Sequence, residues 1–172
     1  KAAPRDAVYA ALDRCDETVD RMRCVRTERY KYIRNFYPDR PYTQFNAYKK
    51  HQYPVLTLME VLHKQGKLTP EQARFMAPTR PEEELYDLQA DPYEVHNLAG
   101  NEPLQPTLRQ LRNDLDAWIA HTNDHGATPE DPDVIQYWQN QAVERFQRNM
   151  AQKGLTPETP PEEYLKWWEK RL

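Results

Sequence analysis

A short polar segment follows the first apolar run of the chain and holds its first candidates for chemistry. It reads Arg14, Cys15, Asp16 and Glu17. A guanidinium can bind an anion through two parallel hydrogen bonds, and a carboxylate accepts hydrogen bonds from hydroxyl groups. The alternative is a surface turn in which an arginine and a carboxylate form an ion pair of little energetic weight. Loops at strand ends carry binding sites more often than cores do, so both interpretations stay open.

Metal and thiol chemistry is not predicted for this sequence. Cys15 and Cys24 occur in no CxxC or Cys/His zinc spacing, and a disulfide between them is neither predicted nor excluded. His121 and His125 have the i, i+4 spacing of metal ligands, but no third ligand stands at a known distance along the chain. We therefore predict no metal site among these residues.

Length and composition limit the class of protein. The chain has 172 residues, of which 38% are hydrophobic and 30% charged, as suits one polar domain. No segment approaches the roughly 20 apolar residues that span a membrane. A net charge of -3 gives no indication of a nucleic-acid partner. The start, residues 1–4, contains no initiator Met and no signal region, so we expect a fragment or a processed product.

The first half of the chain carries strand patterns. Apolar and basic residues alternate with a period of two in residues 22–27 and 30–34, which predicts a hairpin with at least one partly basic face. The apolar run 7–12 predicts a buried strand before it, and residues 84–88 predict a short strand after it. Residues 35–53 are aromatic and proline-rich with no regular period, so we predict an ordered loop there.

The second half carries helix patterns. Leu108, Leu111, Leu115 and Trp118 form an amphipathic stripe over residues 105–122. Apolar spacing, proline starts and capping residues predict further helices at residues 55–65, 69–76 and 133–153 and after Thr159. The predicted fold is α+β, a small antiparallel sheet of about four strands packed by the long amphipathic helix. This domain takes residues 1–126, and residues 127–172 form a helical extension.

Two sequence signatures identify a family resemblance. Residues 25–35 read VRTERYKYIRN, and residues 84–99 read ELYDLQADPYEVHNLA. In this order, after Arg5-Asp6 and the Arg14 segment and before a Leu-rich helix, they resemble the C-terminal subdomain of type I sulfatases. The resemblance is strongest to the branch with arylsulfatase-like enzymes and heparan N-sulfatase. It covers about two thirds of the chain and does not extend beyond Gly126.

The resemblance implies a hydrolase of sulfate esters or sulfamates with an alkaline-phosphatase-like fold. Such enzymes use a formylglycine nucleophile made in a C-x-P/A-x-R motif, and Ca²⁺ polarises the sulfate. Neither cysteine of this chain is followed by that motif. We therefore expect no catalytic residue here, and we expect the nucleophile and Ca²⁺ in an N-terminal catalytic domain that this chain lacks. By the same resemblance the location is expected to be periplasmic or secreted.

The resemblance also gives the polar segment a role, because the corresponding loop of the family faces the active-site cleft. It implies that Arg14, Asp16 and Glu17 contact a sulfated carbohydrate. We add Arg34 from the basic hairpin and Tyr37 from the aromatic loop as predicted substrate-binding residues. The alternatives are that the hairpin arginines form a solvated face or a docking surface, and that the aromatic rings only plug the subdomain against its neighbour.

Two other functions stay open at the level of sequence. The chain is alternatively a free-standing module that binds sulfated glycans or a protein partner without catalysis. It is also compatible with a purely structural domain whose tail mediates oligomerisation. The leading hypothesis is the C-terminal part of a sulfatase, which completes the fold and shapes the substrate cleft.

Overall fold

The computed structural model describes residues 5–171, so residues 1–4 and Leu172 of the predicted domain ranges lie outside it. The α+β class is confirmed. The strands are Val8–Cys15 (β1), Thr18–Arg26 (β2), Tyr30–Asn35 (β3) and Glu83–Asp87 (β4). The α-helices are Ala47–Gln52 (α1), Pro54–Lys64 (α2), Pro70–Arg74 (α3), Gln105–His121 (α4), Pro132–Gln152 (α5) and Pro161–Glu169 (α6). None of the helices in this part combines the length and apolarity of a membrane span.

The backbone divides into two compact units. The first unit contains the chain up to Arg14, then Asp20–Asp39 and Arg80–Pro129. The second unit contains Cys15–Val19, Arg40–Thr79 and the chain from Glu130 onward. The division into a domain over residues 1–126 and an extension over residues 127–172 stays a prediction.

The sheet has the strand order β1-β2-β3-β4. β2 and β3 pair antiparallel, with Cys24 opposite Ile33, which confirms the predicted hairpin. β3 and β4 also pair antiparallel, with Tyr32 opposite Leu85. The second pairing places the two signature segments side by side, although they lie far apart in sequence.

The prediction that the first strand is buried is wrong. β1 forms, but Val8 is 48% exposed and Leu12 is 37% exposed. β1 stands at the end of the strand order and so has a strand neighbour on one side only, which leaves an apolar run partly uncovered. Tyr9 of β1 packs in parallel on the ring of Trp118 in α4, with ring centroids 5.3 Å apart.

The core of the first unit lies between the sheet and α4. The buried apolar residues come from β2, β3, β4 and α4 and are Val25, Tyr32, Leu85, Leu108, Leu111 and Leu115. The three leucines belong to the predicted stripe, and its packing on the sheet is confirmed. Burial of these side chains supplies the main stabilisation of the unit.

Arg23 on β2 is buried next to this core, with 1% of its surface exposed. Its guanidinium forms ion pairs with Asp124 and Asp13 and donates further to the carbonyl oxygens of Leu12 and Met22. The hypothesis of a solvated basic face is therefore wrong for Arg23. Two carboxylates and two carbonyls accept from all of its sides, which is the condition for burying a charge.

The second unit is helical around its own core. α1 packs on α5 and α2, and α2 packs on α6. The buried apolar residues are Ala47, Ala142, Phe146, Met150 and Tyr164. The predicted stripe of α5 is confirmed at Ala142, Phe146 and Met150 but not at its start, because Val134 and Trp138 are exposed.

Three details of the helices differ from prediction. The loop predicted at residues 35–53 contains α1, which begins because the Asn46 side chain accepts a hydrogen bond from the backbone N–H of Lys49. In α2, Thr57 and Val61 are buried while Leu58 is 39% exposed, so the buried face is rotated from the predicted one. α6 begins without a side-chain cap, because Thr159 Oγ1 instead accepts from the N–H of Thr156.

We predict that Gly126 is required by its closeness to Arg23. A Cβ at Gly126 would lie 1.8 Å from Arg23 Nη2 and 2.7 Å from Asp13 Oδ1, and the ion pairs prevent Arg23 from moving aside. Gly126→Ala is expected to lower the free energy of unfolding by about 1–3 kcal/mol. Gly100→Ala is the control, because a Cβ there meets no atom within 4 Å. Urea unfolding of both variants measures the difference, and equal effects would contradict the prediction.

We also predict acid sensitivity from the same ion pair. The hydrogen bond from Arg23 lowers the pKa of Asp124 to about 2, below its ordinary value of 3.8. Because the pKa is lower in the folded state, this stabilisation is complete above about pH 4 and is lost as the pH falls towards 2. Asp124→Asn should be less stable at pH 6 and should lose less stability between pH 5 and pH 2.5. Unfolding measured over this range tests the prediction, and parallel curves would refute it.

Candidate functional site

Two guanidinium groups and one ring form a cluster at the end of the β2–β3 hairpin in the first unit. The Cζ atom of Arg21 lies 3.7 Å from the centroid of the Phe36 ring, and that of Arg34 lies 5.8 Å from it. We call Arg21, Arg34 and Phe36 the arginine–phenylalanine cluster. A ring face attracts cations and holds their planes in place, so the cluster presents fixed positive charge.

Arg34, a predicted site residue, is largely used by protein partners. Its Nη1 donates to Asp116 Oδ1 at 2.6 Å and its Nε to the Tyr32 hydroxyl at 3.1 Å. Burial opposes the charge, but the bonds to Asp116 and Tyr32 leave the pKa of Arg34 raised. Only 17% of the side chain is exposed. Arg34 therefore stays charged and is fixed in position, with each of its three guanidinium nitrogens bonded to Tyr32 or Asp116.

Glu83 belongs to the same hydrogen-bond network as Arg34, because both bond to the Tyr32 hydroxyl. Its carboxylate accepts two hydrogen bonds from Arg112, at 2.8 and 2.7 Å, and one from the Tyr32 hydroxyl. The hydrogen bond from Arg112 is the main reason that the pKa of Glu83 is lowered. Burial, followed by the hydrogen bond to Glu83, raises the pKa of Tyr32. Glu83 therefore fixes the Tyr32 hydroxyl, to which Arg34 donates. Near neutral pH, Glu83 and Arg34 stay charged and Tyr32 stays neutral.

Arg21 is the residue that the sequence prediction missed. Its Nε is buried and has no hydrogen-bond partner among the described residues. A buried donor without a partner is unfavourable, and the contact of the guanidinium with the Phe36 ring offsets part of this cost. Nothing in the hairpin pattern distinguished Arg21 from the other arginines, because the ring that holds it lies beyond the end of β3.

The remaining predicted residues of the first unit flank this region in sequence. Arg14 is the last residue of β1 that belongs to the first unit, and Tyr37 directly follows Phe36. Both side chains are half-buried. Both take part in contacts within the protein. Their role in substrate binding stays a prediction.

Asp16 and Glu17 lie together in the second unit, where they tie a turn to the start of α1. Asp16 adopts a left-handed backbone conformation with φ +51° and accepts from Asn46 Nδ2 at 3.2 Å. Glu17 Oε1 accepts from the backbone N–H of Ala47 at 2.6 Å. The two carboxylates thus stabilise the contact between this turn and the start of α1. Asp16 is exposed and keeps lone pairs for an outside donor.

Glu17 also lines a groove of about 610 Å³ in the second unit. Its walls mix amide side chains with apolar ones, among them Gln44, Gln136, Gln139, Asn140, Phe45 and Val143. Amides and carboxylates exchange hydrogen bonds with hydroxyl groups, and a ring such as that of Phe45 packs against C–H bonds. We call this the amide groove. Its chemistry suits a polyhydroxylated ligand.

The described residues provide no metal site and no disulfide. No group of three or more His, Cys, Asp or Glu side chains is arranged to hold a metal ion in this part of the chain. His121 ends α4, and His125 opens the short 3₁₀ helix that follows it. Cys15 and Cys24 are free thiols, and burial raises the pKa of Cys24. These residues do not fit a bound calcium ion.

Comparison with curated proteins finds two sulfatases that are similar to this chain. The chain is 37% identical over 138 residues to an ulvan-active sulfatase of Formosa agariphila, a match of 80% of this chain and 23% of that protein. A second ulvan-active sulfatase of the same organism is 33% identical over 102 residues, which are 59% of this chain and 18% of that protein. The chain therefore spans less than a quarter of the length of the curated relatives it matches. No protein-family model matches the chain.

Solved structures give weaker likenesses. A 2-O GAG sulfatase has a TM-score of 0.44 and 20% identity, over 77% of this chain and 20% of that one. A protein solved with its substrate D-glucosamine-2-N,6-O-disulfate has a TM-score of 0.42 and 19% identity, over 75% and 19% of the two chains. Both TM-scores lie below 0.5, so we base the relationship on the sequence relatives alone.

Proposed function

This chain is related to the C-terminal part of sulfatases, and on that premise we propose that the protein which carries it hydrolyses sulfate esters of a carbohydrate. The observation that carries the proposal is the 37% identity to an ulvan-active sulfatase over 80% of the chain. We propose that this chain completes the fold and contributes to the substrate cleft. It supplies no nucleophile, because neither Cys15 nor Cys24 starts a C-x-P/A-x-R motif.

We assign the reaction chemistry to a part of the protein outside this chain. The sulfatase resemblance implies a formylglycine nucleophile and Ca²⁺, and the described residues offer no cluster of ligands for such an ion. A hard cation requires several converging oxygen ligands. The partner of this chain is therefore a sulfatase catalytic domain that provides both groups.

The substrate class that we propose is a sulfated polysaccharide. The relative is active on ulvan, and each unit of this chain offers one kind of contact for such a ligand: the amide groove in the second unit and, separately, the arginine–phenylalanine cluster in the first. Amide and carboxylate groups recognise hydroxyls, and guanidinium groups recognise sulfate. Arg14, Asp16, Glu17, Arg34 and Tyr37 are the proposed contacts of this chain.

The test is sulfate release by the whole protein that carries this chain. Purified with its native sequence, it is expected to release sulfate from ulvan and not from chemically desulfated ulvan. Removal of divalent ions with a chelator should abolish release, and added Ca²⁺ should restore it, because the metal polarises the sulfate. Ion chromatography measures the free sulfate.

Two further substrates make this result decisive. An N-sulfated glucosamine saccharide separates a sulfamatase from an ester hydrolase, and a small aryl sulfate reports the reaction without polysaccharide contacts. A protein that releases sulfate from none of these substrates, with Ca²⁺ present and its fold intact, would refute the proposed function.

Asp16 provides a test of the contacts that this chain contributes. Asp16→Asn preserves the turn, because asparagine tolerates the left-handed backbone, but it removes the negative charge that would accept a hydrogen bond from a sugar hydroxyl. We expect KM for ulvan to rise several-fold with kcat unchanged, since Asp16 is proposed to bind and not to react. Asp133→Asn in the first turn of α5 is the matched control. Unchanged kinetics in both variants would remove Asp16 from the proposed contacts.

A further inference from the structure

An open groove in the first unit lies outside the clusters described above. It has a volume of about 760 Å³ and is formed by the residues around the start of β1 and the turn between β2 and β3. This volume lies within the range of ligand-binding pockets. Its charged lining residues are Arg5, Asp6, Arg26, Glu28 and Arg29. We call it the arginine groove.

Arg29 is fixed in position at the groove. Its Nε and Nη2 donate to Asp87 Oδ2 at 3.0 and 2.8 Å, and its Cζ lies 4.9 Å from the centroid of the Tyr30 ring. Asp87 is itself held, because it accepts from the backbone N–H of Gln89. The hydrogen bond from Arg29 lowers the pKa of Asp87, so the pair stays ionised. The Arg29 side chain is nevertheless 55% exposed, and its Nη1 edge has no hydrogen-bond partner in the described part of the chain.

Arg5 and Arg26 are the other two cationic side chains of the groove. Both side chains are exposed, and neither forms an ion pair, hydrogen bond or ring contact within residues 5–171. The turn beside Arg26 is rigid, because Thr27 Oγ1 accepts from the N–H of Tyr30 and donates to its carbonyl. Three guanidinium groups, one of them held by Asp87, therefore line the same open groove.

The carboxylates of the groove indicate the kind of anion. Asp6 and Glu28 lie in the same lining, where they would repel a ligand that carries only negative groups. A sulfated sugar offers both kinds of partner, because its sulfate accepts from guanidinium groups and its hydroxyls donate to carboxylates. Nucleic acid has a denser charge and few hydroxyl donors, so the mixed lining favours the sugar.

We propose that the arginine groove binds a sulfated sugar unit of a polysaccharide. Arg5, Arg26 and Arg29 contact the sulfate, and Asp6 and Glu28 accept hydrogen bonds from the ring hydroxyls. The choice of ligand rests on the proposed function, whereas the groove and its charges rest on the structure alone. The groove thus adds a binding site for the polymer to those proposed from the sequence.

The experiment measures binding of ulvan oligosaccharides to the whole protein by calorimetry. Arg5→Gln combined with Arg26→Gln is expected to raise Kd about tenfold, the effect of losing a charge-assisted hydrogen bond at an exposed position. Arg26→Lys should retain part of the affinity, because it keeps the charge and loses the planar fork. Arg109→Gln, an exposed arginine of α4, is the matched control and should bind as the unaltered protein does. Raised salt should weaken binding more in the unaltered protein than in the double variant.

Each outcome decides the proposal. An unchanged Kd in the double variant, or an equal loss in Arg109→Gln, overturns it, as does equal binding of a DNA duplex at the same salt concentration. Urea unfolding curves that match those of the unaltered protein show that the variants are folded. If the unaltered protein binds ulvan through these arginines but releases no sulfate, the groove stands and the proposed function fails. If it releases sulfate and the double variant binds normally, the function stands and the groove fails.

Discussion

The register between β3 and β4 is the constraint on which the first unit depends. It places Tyr32 opposite Leu85 in the core, and it also joins polar groups that must be buried together. Asn35 Nδ2 donates to Glu84 Oε1 at 2.6 Å, and the Tyr86 hydroxyl donates to Glu84 Oε2 at 2.5 Å. A slip of one residue would turn the apolar residues out of the core and separate Asn35 from Glu84, although the Tyr86–Glu84 bond lies within β4 and does not depend on the register. Apolar and polar burial therefore select the same pairing.

Buried ion pairs connect this sheet to segments that have little regular structure. Arg23 pairs with Asp124 after the end of α4, and Arg80 pairs with Asp20 of β2. Such pairs contribute little net stability relative to apolar residues, but removing one partner leaves a buried charge and costs about 3–5 kcal/mol. The Arg23–Asp124 pair therefore holds the segment after α4 against the sheet, where Gly126 allows the close approach to Arg23.

Local patterns predicted the parts of the fold that local interactions determine. The hairpin and α4 were predicted because strand alternation and the leucine stripe are visible within one segment. Arg23 was not recognised as buried, because its partner Asp124 is 101 residues away. α1 was missed because aromatic and proline residues hid a helix that depends on the Asn46 cap and on Glu17. At the candidate site, the substrate-binding role of the segment around Asp16 stays a prediction, while its attachment to α1 and the contact of Arg21 with Phe36 depend on tertiary structure and could not be predicted.

The same register explains why a binding surface can form at the hairpin turn. Tyr30 stands opposite Asp87 at the end of the β3–β4 pairing, so Arg29, one residue earlier, reaches that carboxylate. Asp87 is the last residue of β4 and is fixed by the N–H groups of the turn that follows it. The guanidinium is thus oriented before any ligand arrives, which reduces the entropy lost on binding. Core packing and ligand contact are therefore linked through one strand pairing, and a substitution that shifts this register would disturb both.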